Sequence, residues 1–157
     1  MTNFNFTEFT TYRELADSLF DKIKSYDFLE MTEDKAYEIV IGYLRPAIVK
    51  FDNCKQDLSD RDNENKMFNF HLTDDTFELL VNYMVVEWLT SNYILTWSAL
   101  KSSLTSSEFK KIDTKDMLTK TMELRKMLMG ENDQKAINKS YKKSELFKIC
   151  TNGGVKR

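Results

Sequence analysis

The side chains that could carry out nucleophilic or acid–base catalysis are few in this chain and far apart. His71 is the only histidine among 157 residues, and it stands between aromatic and apolar neighbours. A Ser-His-Asp or Cys-His arrangement needs a nucleophile and an orienting group beside that one ring, and no motif supplies them. Cys54 and Cys150 lack the close spacing of zinc sites and disulfide motifs, so we expect both thiols to stay reduced. The sequence therefore predicts that the protein is not an enzyme and holds no cofactor or metal.

Carboxylates alternate with other residues along positions 57–65, which raises the question of a calcium site. Asp60, Asp62 and Glu64 are spaced like the opening of a calcium-binding loop. Such a loop also needs a glycine at its sixth position, where this chain has Asn65, and a bidentate glutamate further along, which it lacks. We therefore expect a solvated or partner-facing loop. Its charged members are Asp57, Asp60, Arg61, Asp62 and Glu64.

The sequence also gives no sign of a phosphate-binding loop. Its four glycines are scattered, so neither the GxGxxG motif nor the GxxxxGK motif occurs. They are Gly42, Gly130, Gly153 and Gly154.

The C-terminal part of the chain is basic, although the net charge of the whole protein is −2. Four lysines recur at helical spacing, namely Lys135, Lys139, Lys142 and Lys143, and could form a stripe. A basic tail on an acidic body is typical of docking onto a complementary surface, and it is also compatible with contact to DNA. A solvated helix end is the third interpretation. Beyond Tyr141, the apolar residues Leu146, Phe147 and Ile149 are too few for a core of their own, so we expect this segment to dock on a partner.

Four methionines crowd one predicted helix: Met117, Met122, Met127 and Met129. Flexible thioether side chains fill irregular gaps in cores, and they also suit protein surfaces that adapt to a partner. Core filling is the interpretation that we favour from the sequence, and the adaptable surface is the alternative.

Composition favours one helical domain. The chain is long enough for a single core, and its 4 glycines and 1 proline are too few for the many tight turns of a sheet-rich fold. The longest apolar runs are shorter than a membrane span requires, and no signal segment opens the chain, so we expect a soluble protein made in the cytoplasm without a membrane partner. The predicted fold is all-α: a single-domain bundle of four to five helices with extended N- and C-terminal arms and a long charged loop between helices.

Local signals mark where the helices begin. Thr11-Tyr12-Arg13-Glu14 fits a capping box, in which a threonine and a glutamate satisfy the free N–H groups of a helix start. A second helix is predicted to start at Thr32, and Pro46 predicts a kink or a new helix. Thr73 is predicted to cap a central buried helix, apolar over much of its circumference.

The last long helix is predicted over residues 114–129, and we expect Gly130 to end or interrupt it. The residues expected to point inward are Met117, Leu118, Thr121, Leu124 and Leu128. The chain thus divides into an N-terminal arm at 1–10, a helical domain at 11–130 and a basic docking segment at 131–157. Phe4, Phe6 and Phe9 give the arm an apolar alternation. We expect it to lie on a neighbouring subunit or to fold back on its own core.

The central third of the chain, residues 43–93, has a pattern of apolar and charged residues on both sides of the charged loop. Its motifs are Ala47-Ile48-Val49-Lys50-Phe51, Cys54-Lys55-Gln56-Asp57-Leu58 and Met84-Val85-Val86-Glu87-Trp88-Leu89. With these motifs the block resembles the head–tail connector (neck or adaptor) proteins of tailed bacteriophages.

The resemblance implies a small all-helical virion protein located in the neck, at the head–tail interface. About a dozen copies would form a ring below the portal protein, continue the DNA channel without sequence-specific binding, and offer a platform to further neck or tail proteins. It implies that the loop at 57–65 faces the channel or a neighbouring subunit, and that residues 139–149 dock on the portal. The alternative from another functional class is a small helical DNA-binding regulator that uses the basic C-terminal stripe.

Overall fold

A computed structural model describes residues 9–23, 28, 30–96 and 114–142 of the chain. The described part is mostly helical, which confirms the predicted fold class. Its elements in chain order are α1 (Tyr12–Lys22), α2 (Glu33–Gly42), α3 (Leu44–Lys50), β1 (Arg61–Asp62), β2 (Met67–Phe68), α4 (Asp74–Leu89), a π-helical turn (Thr90–Leu95) and α5 (Thr114–Lys142). None of the helices in these ranges combines the length and apolar content that a bilayer span requires.

The start of α1 follows its sequence signal. The backbone N–H of Glu14 donates to Thr11 Oγ1 at 3.2 Å, and the backbone N–H of Thr11 donates to Glu14 Oε2 at 2.8 Å. This is the reciprocal capping box that the sequence predicts. Thr32 and Thr73 likewise occupy the N-cap positions of α2 and α4, although neither side chain bonds to the backbone there. Pro46 lies in the first turn of α3, which begins a new helix as expected.

The charged loop between α3 and α4 is built around a small antiparallel hairpin. In it, Arg61 pairs with Phe68 and Asp62 with Met67. Leu58, Phe68 and Leu72 are all buried in the body, so the loop is anchored on both sides of its tip. Lys66 closes the turn at φ 53°, in the left-handed region that side chains other than glycine seldom adopt. Of the charged residues in this loop, Asp57, Asp60 and Glu64 are exposed, whereas Arg61 and Asp62 are half-buried in the hairpin.

The chain just before α1 folds against this hairpin. The backbone N–H of Phe68 donates to the Thr10 carbonyl at 2.8 Å, and the backbone N–H of Thr10 donates to the Phe70 carbonyl at 3.2 Å. The buried Thr10 hydroxyl also accepts from the backbone N–H of Leu72 at 2.9 Å. The end of the predicted arm therefore packs on its own molecule, which is one of the two alternatives. Phe9 is 40% exposed, and Phe4 and Phe6 lie outside the described residues.

Helix α4 is the buried centre of the fold, as its apolar circumference predicts. Leu80, Val81, Met84 and Val86 are fully buried in it, and α1, α3 and α5 all pack against it. The helix then widens into the π turn at Thr90–Leu95. The Thr90 hydroxyl donates a hydrogen bond to the Val86 carbonyl at 2.7 Å. The Asn92 side-chain amide donates to the Trp88 carbonyl at 3.2 Å. Such local bonds compete with the regular α-helical hydrogen bonds and accompany the change to π geometry at this point.

Helix α5 differs from its sequence prediction. It runs without a break for 29 residues, about 44 Å, so Gly130 neither ends nor interrupts it. Lysine, methionine and glutamate, all strong helix formers, surround this glycine and outweigh its single cost of about 1 kcal/mol. The predicted inward face is also partly wrong, because Met117 and Leu124 are 45% and 41% exposed. Leu118, Thr121 and Leu128 are half-buried.

Replacing Gly130 by alanine should stabilise the protein by roughly 1 kcal/mol, because the unfolded chain loses backbone freedom while the helix is unchanged. A Cβ atom at this position would meet nothing within 4 Å. Urea unfolding followed by circular dichroism measures the gain. Gly42→Ala, at the end of α2 and equally free of contacts, is the matched control and should gain less. A destabilised Gly130→Ala variant would contradict an unbroken helix here.

Candidate functional site

Helix α5 lies antiparallel to α4 and is joined to α4 and the π turn that follows it by three side-chain hydrogen bonds, which we call the polar seam. Arg125 Nε donates to Thr90 Oγ1 at 2.8 Å. Tyr83 OH donates to Asp133 Oδ1 at 2.8 Å. Lys139 Nζ donates to Thr76 Oγ1 at 2.7 Å. Rising numbers on α5 meet falling numbers on α4, which fixes the antiparallel direction.

In the middle bond of the polar seam, the Tyr83 hydroxyl stays protonated and so remains the donor. Burial raises the pKa of the Tyr83 hydroxyl well above its usual value, and the hydrogen bond to Asp133 raises it further. The side chain is 1% exposed, so an ionised phenolate would lose most of its hydration there. Tyr83 therefore remains a neutral donor to Asp133 throughout the physiological pH range.

A buried amide interrupts the polar seam. Asn132 is 4% exposed and lies on the face of α5 that meets α4. Its side chain makes no hydrogen bond with any described residue, whereas the neighbouring seam side chains are all bonded. An unpaired buried amide costs about 1–3 kcal/mol.

Asn132→Leu should therefore stabilise the chain by about 1–2 kcal/mol, because leucine has a similar volume and carries no polar group that needs a partner. Thermal and urea unfolding measure the change. Asn138→Leu, an exposed position on the same helix, is the control and should stay within about 0.5 kcal/mol of the parent. A clear loss of stability in Asn132→Leu alone would mean that the amide is satisfied in solution.

The N-terminal half of α5 exposes large apolar side chains. Met117, Leu124 and Met127 are 45%, 41% and 54% exposed. They fall within about 80° of one another around the helix, since each residue turns it by about 100°, and we call this group the methionine face. Met122, 53% exposed, lies on a different side of the helix. Core filling, favoured from the sequence, is thus wrong for these three methionines, whereas Met129 does pack against the core. Leu95 on the π turn, 59% exposed, adds to the apolar surface at this end. Exposed apolar clusters of this kind mark surfaces that bind a partner.

The basic stripe is only partly open to solvent. Lys135 and Lys139 line a groove whose other wall carries Asp74, Asp75 and Glu78 from the first turns of α4. Lys139 is also tied to Thr76, as described for the polar seam. The predicted stripe therefore faces carboxylates of its own chain.

The remaining residues predicted to dock on a partner are described only in part. Tyr141 is 67% exposed near the end of α5. Lys142 is the last residue of the helix. Lys143, Leu146, Phe147 and Ile149 lie outside the described residues.

Two carboxylates of the charged loop accept hydrogen bonds from residues of the same loop and so stabilise its conformation. Asp57 accepts hydrogen bonds from the hydroxyl and the backbone N–H of Ser59, which lower the pKa of its carboxyl. The backbone N–H and the side chain of Asn65 do the same for the pKa of Asp62. Both carboxylates are therefore ionised at neutral pH.

The other charged residues of the loop lie around the same hairpin. Asp60 accepts from the Asn69 amide at 2.7 Å, and Arg61 donates to the Leu58 carbonyl at 3.0 Å. Glu64 is exposed at the tip. Within the described ranges, no three histidine, cysteine, aspartate or glutamate side chains come close enough to hold a metal ion.

The three segments predicted to make contacts meet at one end of the molecule. Thr10, which ends the arm, bonds to Leu72 beside the hairpin. Thr73 follows directly and begins α4, and Lys139 Nζ lies 3.4 Å from its hydroxyl. Thr10, the charged loop and the described end of α5 thus share what we call the charged pole. The methionine face lies toward the other end of α5.

Sequence reasoning missed the polar seam. Arg125, Asn132 and Lys139 recur every seven residues on one face of α5, which is the spacing of a packing face. Because all three are polar, the apolar periodicity used to find packing faces does not include them, and only Lys139 was considered, as part of the basic stripe.

No protein-family model, curated protein or solved structure matches this chain.

Proposed function

We propose that this protein is a structural subunit that assembles into a homo-oligomeric ring, acting as a head–tail connector in the neck of a tailed bacteriophage. The observation that carries the assembly role is the methionine face, an exposed apolar surface on a helix otherwise rich in charged residues. The connector role rests on the resemblance of residues 43–93 to that class of protein. In this proposal the ring lies below the portal and binds further neck or tail proteins.

The charged loop suits a position beside a DNA channel. Its carboxylates repel phosphate groups, so DNA can slide past without sticking. Hydrogen bonds within the loop keep Asp57 and Asp62 ionised, and the buried Phe68 fixes the hairpin that carries them. A loop with a fixed base keeps these charges in the same place in every copy of the ring.

A DNA-binding regulator is the competing function, and the groove between α4 and α5 makes it less favourable. DNA binding through a lysine stripe needs an uninterrupted positive surface toward the phosphates. Here Lys135 and Lys139 share their groove with Asp74, Asp75 and Glu78. The acidic wall would repel the same phosphates that the lysines attract.

Electron microscopy of the purified protein, with and without the portal of the same phage, tests the connector role. We expect rotationally symmetric rings stacked on the portal. Dispersed single subunits in both samples, with a portal that still binds its other partners, would overturn the proposal. Affinity for duplex DNA that falls steeply with added salt would then favour the regulator.

Removing residues 144–157 should abolish portal binding and leave the fold intact. The docking function is assigned to residues 139–149, whereas the described core cluster ends at Ala136. Circular dichroism should therefore match the full-length chain, while co-sedimentation with the portal is lost. Replacing only Lys156 and Arg157 by serine is the control and should retain binding. A truncated chain that still joins the portal would show that the docking segment lies elsewhere.

A further inference from the structure

The methionine face belongs to a longer stripe along the flank of α5. The residues of this stripe recur at alternating steps of three and four, which is the spacing of a seam between two helices. Leu124 lies about 100° around the helix from Arg125 of the polar seam, so the stripe is turned away from the side that meets α4. We call it the flank stripe. Its members, all exposed, are Met117, Lys120, Leu124, Met127 and Glu131.

The flank stripe is complementary to itself when its direction is reversed. Lys120 stands four residues before Leu124, and Glu131 stands four residues after Met127. Two copies that run in opposite directions therefore set the apolar centre of one against that of the other, with Lys120 of each copy opposite Glu131 of the other. Copies that run in the same direction would set lysine against lysine and glutamate against glutamate, which is unfavourable. A two-fold contact needs this kind of self-complementarity, so the pattern favours a second copy as the partner.

A shallow hollow on α5 lies at one end of the flank stripe. It has a volume of about 350 Å³ and is lined by Asp116, Met117, Lys120, Thr121 and Leu124. The last four have the spacing i, i+3, i+4 and i+7, which forms the hole that receives one side chain of a facing helix in a coiled coil. In the reversed arrangement, the residue that faces this hollow is Glu131 of the second copy. Lys120 Nζ lies at the hollow, 2.7 Å from Asp116 Oδ2.

We infer that two copies of this protein pair through the flank stripe, with their α5 helices antiparallel about a two-fold axis between Leu124 and Met127. These two side chains are 41% and 54% exposed in the single chain. Pairing removes their apolar surface from water in both copies, which is the driving force of the contact. The pairs of Lys120 with Glu131 on either side select the antiparallel direction.

This pair is a state of the free protein and does not depend on the proposed connector role. A two-fold axis turns the two subunits in opposite directions, whereas the subunits of a ring all face the same way. The pair also covers the methionine face, on which the proposed ring depends. Paired chains must therefore separate before they enter a ring, and the pair keeps free subunits from assembling away from the portal.

Reversing the charges at Lys120 and Glu131 tests the pairing. Lys120→Glu alone sets glutamate against glutamate on both sides of the centre, and Glu131→Lys alone sets lysine against lysine. Each full-length variant should therefore self-associate at least about 10-fold more weakly than the parent. Sedimentation velocity over a concentration series measures the association, and circular dichroism checks that each variant is folded.

Two combinations of these substitutions should restore the pairing. When the Lys120→Glu chain is mixed with a nitrogen-15-labelled Glu131→Lys chain, opposite charges meet on both sides, so native mass spectrometry should show heterodimers in excess of either homodimer. The double variant Lys120→Glu, Glu131→Lys keeps the net charge of the parent and should self-associate within about 3-fold of it. Lys126→Glu, exposed on another side of α5, is the control and should change the association by no more than about 3-fold.

Three results would overturn the pairing. The first is a parent chain that stays a single subunit at every concentration. The second is equal self-association of the parent and both single variants, which would mean that the flank stripes do not meet in this direction. The third is a mixture of the two single variants without heterodimers. None of these measurements involves the portal, so portal microscopy decides the connector role separately.

Discussion

Phe68→Ala should lower the free energy of unfolding by about 3–5 kcal/mol, the largest stability loss that we expect from a single substitution. Phe68 is fully buried beneath the hairpin, and its ring meets that of Tyr12 edge-on with centroids 5.5 Å apart. Its backbone N–H also pairs with Thr10. The truncation leaves a cavity where the charged loop, α1 and the arm meet.

The structural consequence of Phe68→Ala should be local as well as global. Because Phe68 anchors the hairpin, amide hydrogen exchange should accelerate first in residues 57–72, before the helices α1 and α4 open. Phe9→Ala, at a ring that is 40% exposed, is the control and should cost far less. A loss below about 1 kcal/mol in Phe68→Ala would mean that the loop is not held by the core, since burial of that ring could not then be its anchor.

Replacing Leu124 and Met127 together by glutamate should weaken self-association at least 30-fold, which corresponds to about 2 kcal/mol. Both side chains are exposed and belong to the methionine face, so in the proposed ring two buried charges would replace apolar contacts between subunits. The isolated chain should remain folded, because exposed substitutions usually change stability by less than about 0.5 kcal/mol. Sedimentation velocity over a concentration series measures the association.

Lys126→Glu provides the comparison for that double variant. It also introduces an acidic charge at an exposed position on the same stretch of α5, but it removes no apolar side chain. We expect its self-association to change by no more than a few-fold. Equal losses in both variants would point to net charge, and not the methionine face, as the cause.

Features encoded in short stretches of sequence were predictable. Thr11, Thr32 and Thr73 mark helix starts because capping depends on residues within one turn. The central position of α4 followed from apolar residues around most of its circumference. In each case the signal and the structure that it specifies lie in the same stretch of chain.

Features that depend on distant partners were not predictable. Arg61 and Asp62 carry no strand signal, and they form a hairpin because their partner strand is anchored by Phe68, which is buried in the core against Tyr12. The polar seam could not be recognised, because Arg125 and Asp133 are meaningful only opposite Thr90 and Tyr83. The exposure of Met117 and Met127 depends on how far α5 extends along the body, which periodicity does not report.

The separation of the charged pole from the methionine face gives each subunit a direction. If the subunits stand side by side in the proposed ring, one rim carries the loop carboxylates and the described end of α5, and the opposite rim carries the methionine face. The two rims then recognise different neighbours, so the ring can be stacked in only one orientation. In the proposed neck, the orientation of the ring along the channel axis would thus follow from the antiparallel packing that places residue 139 at the start of α4.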